Sequence, residues 1–98
     1  MKLAAFVSDY RTTVDTLGRL TPEKLGIILV QNGIYHATTK ENGNSSSLLN
    51  CTADYYAVKE DLETRGFTSA DVDIKVKVIT ISDVVDLIFN DYEKTAWL

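Results

Sequence analysis

The chain has 98 residues, of which 45% are hydrophobic and 24% charged, and this composition is typical of one soluble globular domain spanning residues 1–98. Its formal net charge is -4 and it has no lysine/arginine cluster, so it lacks the basic surface that binding to bare nucleic acid requires. No apolar run approaches the ~20 residues of a membrane span, and the run near the N-terminus is too short for a secretory signal, so we expect a cytoplasmic protein without membrane contact.

The first half of the chain alternates strand-like and helix-like patterns. A short apolar run is followed by apolar residues at helical spacing, which Pro22 ends. A continuous Ile/Leu/Val run then predicts a strand buried on both faces. The predicted bounds are 3–7 for the first strand, 14–20 for the first helix, 27–30 for the second strand, 34–39 for a second helix and 40–47 for a polar loop.

The second half repeats the alternation more clearly. Strands are predicted over 54–58 and 76–79. Between them, Leu62 is expected to face inward from a helix, and Gly66 stands where a glycine usually follows a helix end. Thr80 and the residue three positions later have the spacing of a capping box. They precede the clearest helical pattern of the chain, with apolar residues at i, i+3, i+4 and i+7: Ile81, Val84, Val85 and Ile88.

This order of elements predicts a small α/β three-layer sandwich, with a mostly parallel sheet of four to five strands flanked by helices. In such sheets, ligands bind beyond the carboxyl ends of the strands. Gln31, Asn32 and Gly33 lie at the end of the second predicted strand and therefore mark a candidate site.

Several residues around this strand end have both a structural and a functional interpretation. Gly33 is expected to be required by a positive φ or a close backbone approach. Gln31 and Asn32 either satisfy backbone groups or contact a partner. Tyr35 and His36 follow the turn directly and are expected to face out from the strand-end edge. Tyr35 is expected at a protein contact, since tyrosine is enriched in interfaces. His36 either stabilises an anion or a partner's persulfide, or is a surface histidine at a subunit contact.

Other aromatic and acidic residues also have both a structural and a functional interpretation. Trp97 is expected at a subunit contact, because a 98-residue core cannot hide all the aromatic side chains. Alternation along the third strand requires one of Tyr55 and Tyr56 to pack against the sheet. The acidic residues after that strand are expected to form a solvated helix face: Glu60, Asp61 and Glu63.

Cys51 is the only cysteine and His36 the only histidine, so the chain can form no internal disulfide, and no metal or cofactor site is expected. A persulfide carrier needs an exposed thiol whose pKa is lowered by a cation or a helix N-terminus. Cys51 has no lysine or arginine within seven residues on either side, and it precedes the amino end of a strand. A small, partly buried residue without a catalytic role is the favoured interpretation.

Four segments occur here in the order typical of one family: "ILVQNGIYHA", "YAVKEDLETRG", "VITISDVVDLI" and "AWL". From about Gly26 to the end, the chain resembles the DsrH/TusB family of the wider DsrE/DsrF-like group. The resemblance implies the DsrE/DsrF-like fold. The segment 40–47 differs, as a loop longer than is usual in the family.

The resemblance also implies a role in a sulfur relay. In the best-known members of this family, three related small proteins form a hetero-oligomer that passes persulfide sulfur to tRNA wobble 2-thiouridine synthesis or to dissimilatory sulfur oxidation. Some DsrH members carry a cysteine in the first helix, but this chain has none near Leu17. We therefore expect a non-catalytic subunit that binds DsrE/DsrF- or TusC/TusD-like partners or associates with itself. The alternatives are a sulfurtransferase carrying persulfide on Cys51 and a homo-oligomer binding a small ligand near Gly33.

Overall fold

The computed structural model describes residues 2–8, 24–39, 49 and 53–97. The predicted first helix, the polar loop 40–47 and Cys51 lie outside these residues. Five strands form one sheet: β1 (Lys2–Val7), β2 (Lys24–Leu29), β3 (Asp54–Val58), β4 (Val76–Ile79) and β5 (Lys94–Trp97). The described helices are a 3₁₀ turn at Gln31–Ile34, α1 (Tyr35–Thr38), α2 (Lys59–Thr64), a second 3₁₀ turn at Ser69–Asp71 and α3 (Ile81–Asp91).

The strand order is β4-β3-β2-β1-β5, and every neighbouring pair is parallel. This confirms the predicted parallel α/β sheet, and the sheet has five strands, the larger of the two predicted numbers. β1 and β2 pair over their whole length, from Lys2 opposite Lys24 to Val7 opposite Leu29. Because this pairing requires six residues on each strand, β2 begins at Lys24, earlier than the predicted strand start.

Alternating side chains place two apolar clusters on opposite faces of the sheet. The first face, here called the α2 face, packs against the residues after β2 and against α2; its buried members include Val7, Ile27, Leu29, Ile34, Ala37 and Leu62. The second, the α3 face, packs against α3; its buried members are Ala4, Ile28, Val30, Val58, Ile79, Val84 and Tyr92. Helices on both faces confirm the three-layer arrangement.

α2 ends as its sequence predicts. Leu62 is 1% exposed and faces the core. Gly66 has a φ of 79°, the left-handed conformation that glycine adopts without a β-carbon penalty. The Gly66 N–H donates to the Glu63 carbonyl at 3.0 Å, and the Phe67 N–H donates to the Leu62 carbonyl at 2.9 Å. These two bonds form a Schellman motif, which stops the helix.

α3 begins with the predicted capping box. The Asp83 N–H donates to Thr80 Oγ1 at 3.2 Å, and the Thr80 N–H donates to Asp83 Oδ2 at 3.1 Å. Val84 is buried on the sheet, but Ile81 and Val85 are 55% and 49% exposed. The helix is thus confirmed, while its apolar pattern is wider than the face that the sheet covers.

Tyr55 and Tyr56 point to opposite faces, as strand alternation requires: Tyr55 is buried on the α2 face, and Tyr56 is partly buried on the α3 face. Tyr92 also belongs to the α3 face and lies over Gly26, where an added β-carbon would overlap the tyrosine hydroxyl. Burial raises the pKa of Tyr92 above its usual value, and the neighbouring Tyr56 hydroxyl raises it further.

None of the described helices is long and apolar enough to cross a membrane.

Candidate functional site

The turn after β2 is held by backbone contacts at the carboxyl edge of the sheet. The Val30 N–H donates to the Val7 carbonyl at 3.0 Å, and the Gly33 N–H donates to the Val30 carbonyl at 2.8 Å. Gly33 is buried, and a β-carbon there would overlap the Val7 carbonyl oxygen. Its φ is not among the positive values. Of the two predicted reasons for this glycine, close backbone approach is therefore the one confirmed.

Gln31 takes the left-handed conformation in this turn, with a φ of 48°. A residue with a β-carbon occupies that region at a steric cost. Its backbone N–H donates to Asp61 Oδ2 at 2.9 Å, so a carboxylate from α2 holds the strained residue. The Gln31 side chain is exposed.

A polar network joins the turn to the end of α2. Arg65 donates from Nε and Nη2 to Asn32 Oδ1, each at 3.2 Å. The same guanidinium lies 3.9 Å from Asp61 Oδ1. Since Asp61 also accepts from the Gln31 N–H, three side chains and one backbone group fix the turn against α2. The amide oxygen of Asn32 thus accepts from the Arg65 side chain, and not from the backbone groups that the sequence interpretation expected it to satisfy.

The acidic residues of α2 are more than a solvated face, which corrects the sequence interpretation. Glu60 accepts from the Ile81 N–H at 3.2 and 3.3 Å and so joins α2 to the first turn of α3. Asp61 holds the strand-end turn. Only Glu63 fits the expectation, since it forms an exposed i,i+4 pair with Lys59 at 3.8 Å.

Trp97 and Gln31 line one small groove at the carboxyl edge, on the α3 face. The Trp97 ring stacks on Phe6 and its Nε1–H donates to Ser8 Oγ at 3.2 Å, yet the residue is 63% exposed. The groove has a volume of about 220 Å³. Its lining is mainly apolar and consists of Phe6, Val30, Gln31, Val58, Asp61, Ile81, Val84 and Trp97.

The expectation that Tyr35 and His36 face outward from the strand end is wrong for the histidine and partly wrong for the tyrosine. The 3₁₀ turn carries α1 back over the α2 face, where Ala37 joins the core. His36 is only 3% exposed, and Tyr35 is half-buried with its ring edge-on to Phe67 at 5.9 Å. Neither residue lines the groove, and of the predicted site residues only Gln31 and Trp97 do.

The groove offers shape and apolar surface more than reactive groups. Asp61 is the one carboxylate among the described lining residues, and it is engaged by the Gln31 N–H and by Arg65. Within the described residues, no group of three His, Cys, Asp or Glu side chains is placed to hold a metal ion. The arrangement suits an apolar side chain inserted from outside, which is a binding role.

The family model for DsrH-like proteins matches residues 7–94, a range that includes the strand-end turn, the groove-lining part of α3 and most of both apolar clusters. The chain belongs to the DsrH family. It is 33% identical over 90 residues to protein TusB from Photorhabdus laumondii subsp. laumondii, covering 92% of this chain and 93% of that protein. A Thermotoga maritima protein solved by NMR in solution is similar in fold, with a TM-score of 0.62 and 29% identity, covering 93% of this chain and 94% of that one.

Sequence patterns located part of this DsrH-family site. They found Gln31 and Trp97, but not that the two line one groove. Phe6, Val58 and Ile81 were missed as lining residues, although their positions at or just after strand ends are a usable signal. Asp61 was missed because its contact with Gln31 joins residues thirty positions apart.

Proposed function

We propose that this protein is a non-catalytic subunit of a sulfur relay, in which persulfide sulfur passes between companion proteins and the present chain supports their assembly. The companions would be DsrE/DsrF- or TusC/TusD-like subunits. The observation that carries the proposal is the similarity to TusB, which extends over 92% of the chain, together with membership of the DsrH family.

The chemistry of the chain supports an accessory role. Persulfide transfer needs a thiolate, and the chain has one thiol, Cys51. Among the described residues, the lining of the groove at the carboxyl edge includes no cysteine and no histidine, and its carboxylate Asp61 is engaged in holding a turn. In this proposal the nucleophilic sulfur of the complex comes from a companion subunit.

The family takes part in two processes, tRNA thiolation and sulfur oxidation. We favour tRNA thiolation, because the relative described above is a TusB protein. In this role the chain needs no nucleic-acid surface of its own. Its net charge of -4 agrees with an indirect part in tRNA modification.

The proposal is tested by deleting the gene in the organism that encodes the chain and measuring 2-thiouridine in its tRNA by mass spectrometry. We expect the modification to be lost and to return when the wild-type gene is restored. Unchanged 2-thiouridine, with loss of sulfur oxidation instead, would assign the protein to the other setting. Unchanged sulfur metabolism in both assays would contradict the proposal.

The same strain separates the accessory role from a carrier role. A gene encoding Cys51→Ser should restore 2-thiouridine as fully as the wild type does, because serine preserves size and removes only the thiol. Cys51→Ser protein that accumulates normally but fails to restore the modification would make Cys51 a sulfur carrier.

A further inference from the structure

α3 carries an apolar stripe that the sheet leaves exposed. Ile81, Val85 and Phe89 are spaced four residues apart and therefore lie along one side of the helix. They are 55%, 49% and 82% exposed, whereas Val84 is 8% exposed and packs on the sheet. A helix in contact with water on that side would normally carry polar residues there.

The stripe continues across the groove to β5. Ile81 and Trp97 both line the 220 Å³ groove, and Trp97 is itself 63% exposed. We call Ile81, Val85, Phe89 and Trp97 together the α3 patch. Single exposed apolar residues are common, but a connected set of large ones is typical of a protein contact.

One carboxylate borders the α3 patch, and others lie on the β4 side of the same helix. Asp86 follows Val85 and lies one turn before Phe89, whereas Asp83 lies farther round the helix, in the cleft beside β4. Both are exposed, as is Asp91 at the helix end, and α3 contains no lysine or arginine. Lys77 lies beside these carboxylates on the β4 side and offsets only part of their charge.

We propose that the α3 patch binds a different protein, one that presents an apolar side chain to the groove and basic residues to Asp86 and the neighbouring acidic side of α3. The inference rests on the proposed function, since it assigns a surface to the companion subunit of the relay. Apolar burial would supply most of the affinity, and the opposite charges would select and orient the partner.

A second copy of this chain is a less suitable partner for the α3 patch than a basic protein is. A two-fold contact through this patch would bring two copies of the acidic border into one interface, and α3 has no lysine or arginine to pair with them. Like charges brought together at an interface oppose association. A basic partner removes this repulsion, and the net charge of -4 adds a general attraction toward it.

The test uses the full chain co-expressed with the DsrE/DsrF- or TusC/TusD-like subunits of the same organism, with assembly measured by sedimentation and affinity by titration. Phe89→Ser should weaken binding at least tenfold without changing the thermal unfolding of the isolated chain, because the side chain is 82% exposed. Ile74→Ser is the matched control, since Ile74 is 99% exposed and lies outside the α3 patch. It should leave the affinity unchanged.

Charge reversal tests the chemistry assigned to the partner. Asp86→Lys should weaken binding at least tenfold and make added salt less disruptive. Glu63→Lys introduces the same change of charge on α2, where the side chain is already exposed, and should have little effect. Equal effects of the two reversals would show only a general charge attraction and would overturn the basic border assigned to the partner.

The outcomes distinguish the two proposals. Failure of the wild-type chain to bind any of these subunits would contradict both. Wild-type assembly that Phe89→Ser leaves intact would overturn the α3 patch alone. A marked fall in melting temperature with Phe89→Ser would show that the chain itself covers the patch, and a wild-type dimer that this variant dissociates would show that a second copy does. Either result would overturn the inference.

Discussion

Trp97 stacks on Phe6 across two neighbouring strands, with ring centroids 5.3 Å apart and ring planes 16° apart. The two residues are register partners in the β5–β1 pair, so the edge strand presents the indole beside the groove. The Trp97 Nε1–H donates to Ser8 Oγ and fixes the ring further. An exposed aromatic ring held this firmly loses little freedom when a partner covers it, which favours its use in binding.

Replacing Trp97 with alanine tests this relationship. We expect the free energy of unfolding to fall by only about 1 kcal/mol, the value of a stacked pair on a surface. Affinity for a companion subunit should fall by ~1–4 kcal/mol, as for a truncated interface aromatic. Thermal unfolding and titration calorimetry would measure the two changes. If the free energy of unfolding falls more than the free energy of binding, Trp97 mainly stabilises the fold.

Removal of the four residues 95–98 is a less specific test than the sequence suggests. The sequence alone predicts that this truncation weakens association more than the fold. The structure places Thr95, Ala96 and Trp97 in β5, paired with β1. The truncation would therefore take away most of an edge strand as well as the indole, and the single substitution is the better experiment.

Two glycines should respond differently to the same substitutions. Gly33→Ala should destabilise the protein by roughly 1–3 kcal/mol, because the β-carbon meets the Val7 carbonyl and the backbone must move. Gly66→Ala should cost about 1 kcal/mol through its φ of 79° alone, since nothing lies within 4 Å of the added atom. Asparagine tolerates the left-handed region, so Gly66→Asn should be milder than Gly66→Ala, while Gly33→Asn should not be milder than Gly33→Ala. Denaturant unfolding of the four variants measures this, and similar costs for both asparagine variants would contradict the two assignments.

His36 and Tyr35 should now be treated as structural residues. His36→Ala and Tyr35→Ala are each expected to lower the free energy of unfolding by roughly 1–3 kcal/mol, because one residue is 3% exposed and the other packs edge-on against Phe67. Partner affinity of the folded protein should remain close to wild type. Melting temperature and titration would be compared for both variants. Unchanged melting with weakened binding would restore the outward-facing interpretation of the sequence.

The raised pKa of Tyr92 predicts that the protein loses stability at alkaline pH. This pKa is raised in the folded protein above the usual 10.0, so the folded state holds the phenolic proton more tightly than the unfolded chain. The contribution of this proton to the free energy of unfolding is complete below pH ~10 and is lost as the pH rises toward the pKa of Tyr92 in the folded protein. The limiting slope is about 1.4 kcal/mol per pH unit for one proton. Denaturant unfolding between pH 9 and ~12 should show a shallower loss for Tyr92→Phe than for wild type. Identical slopes would contradict the role given to Tyr92.

The sequence predicted most of the sheet because periodicity and turn residues act locally. β3 and β4 have their predicted bounds, and the Thr80 capping box and the Gly66 helix end are as predicted. The start of β2 was wrong because pairing with β1, a long-range interaction, decides it. β5 had no clear local pattern, since its residues are mostly exposed on the sheet edge.

The candidate site was harder to predict because distant segments form it. Trp97 meets Phe6 and Ser8 only once β5 lies beside β1. The burial of His36 depends on the direction in which the 3₁₀ turn leads α1, and that direction follows from the contact of Gly33 with Val7. Neither relationship has a signal within a short window of sequence.

The central claim is that the chain takes part in a sulfur relay without carrying the sulfur. The direct measurement is the intact mass of every subunit after the assembled relay has been supplied with a persulfide donor. We predict the added mass of sulfur on a companion subunit and none on this chain, with the same pattern for Cys51→Ser. Added sulfur on this chain that Cys51→Ser abolishes, together with loss of transfer to the acceptor, would contradict the account.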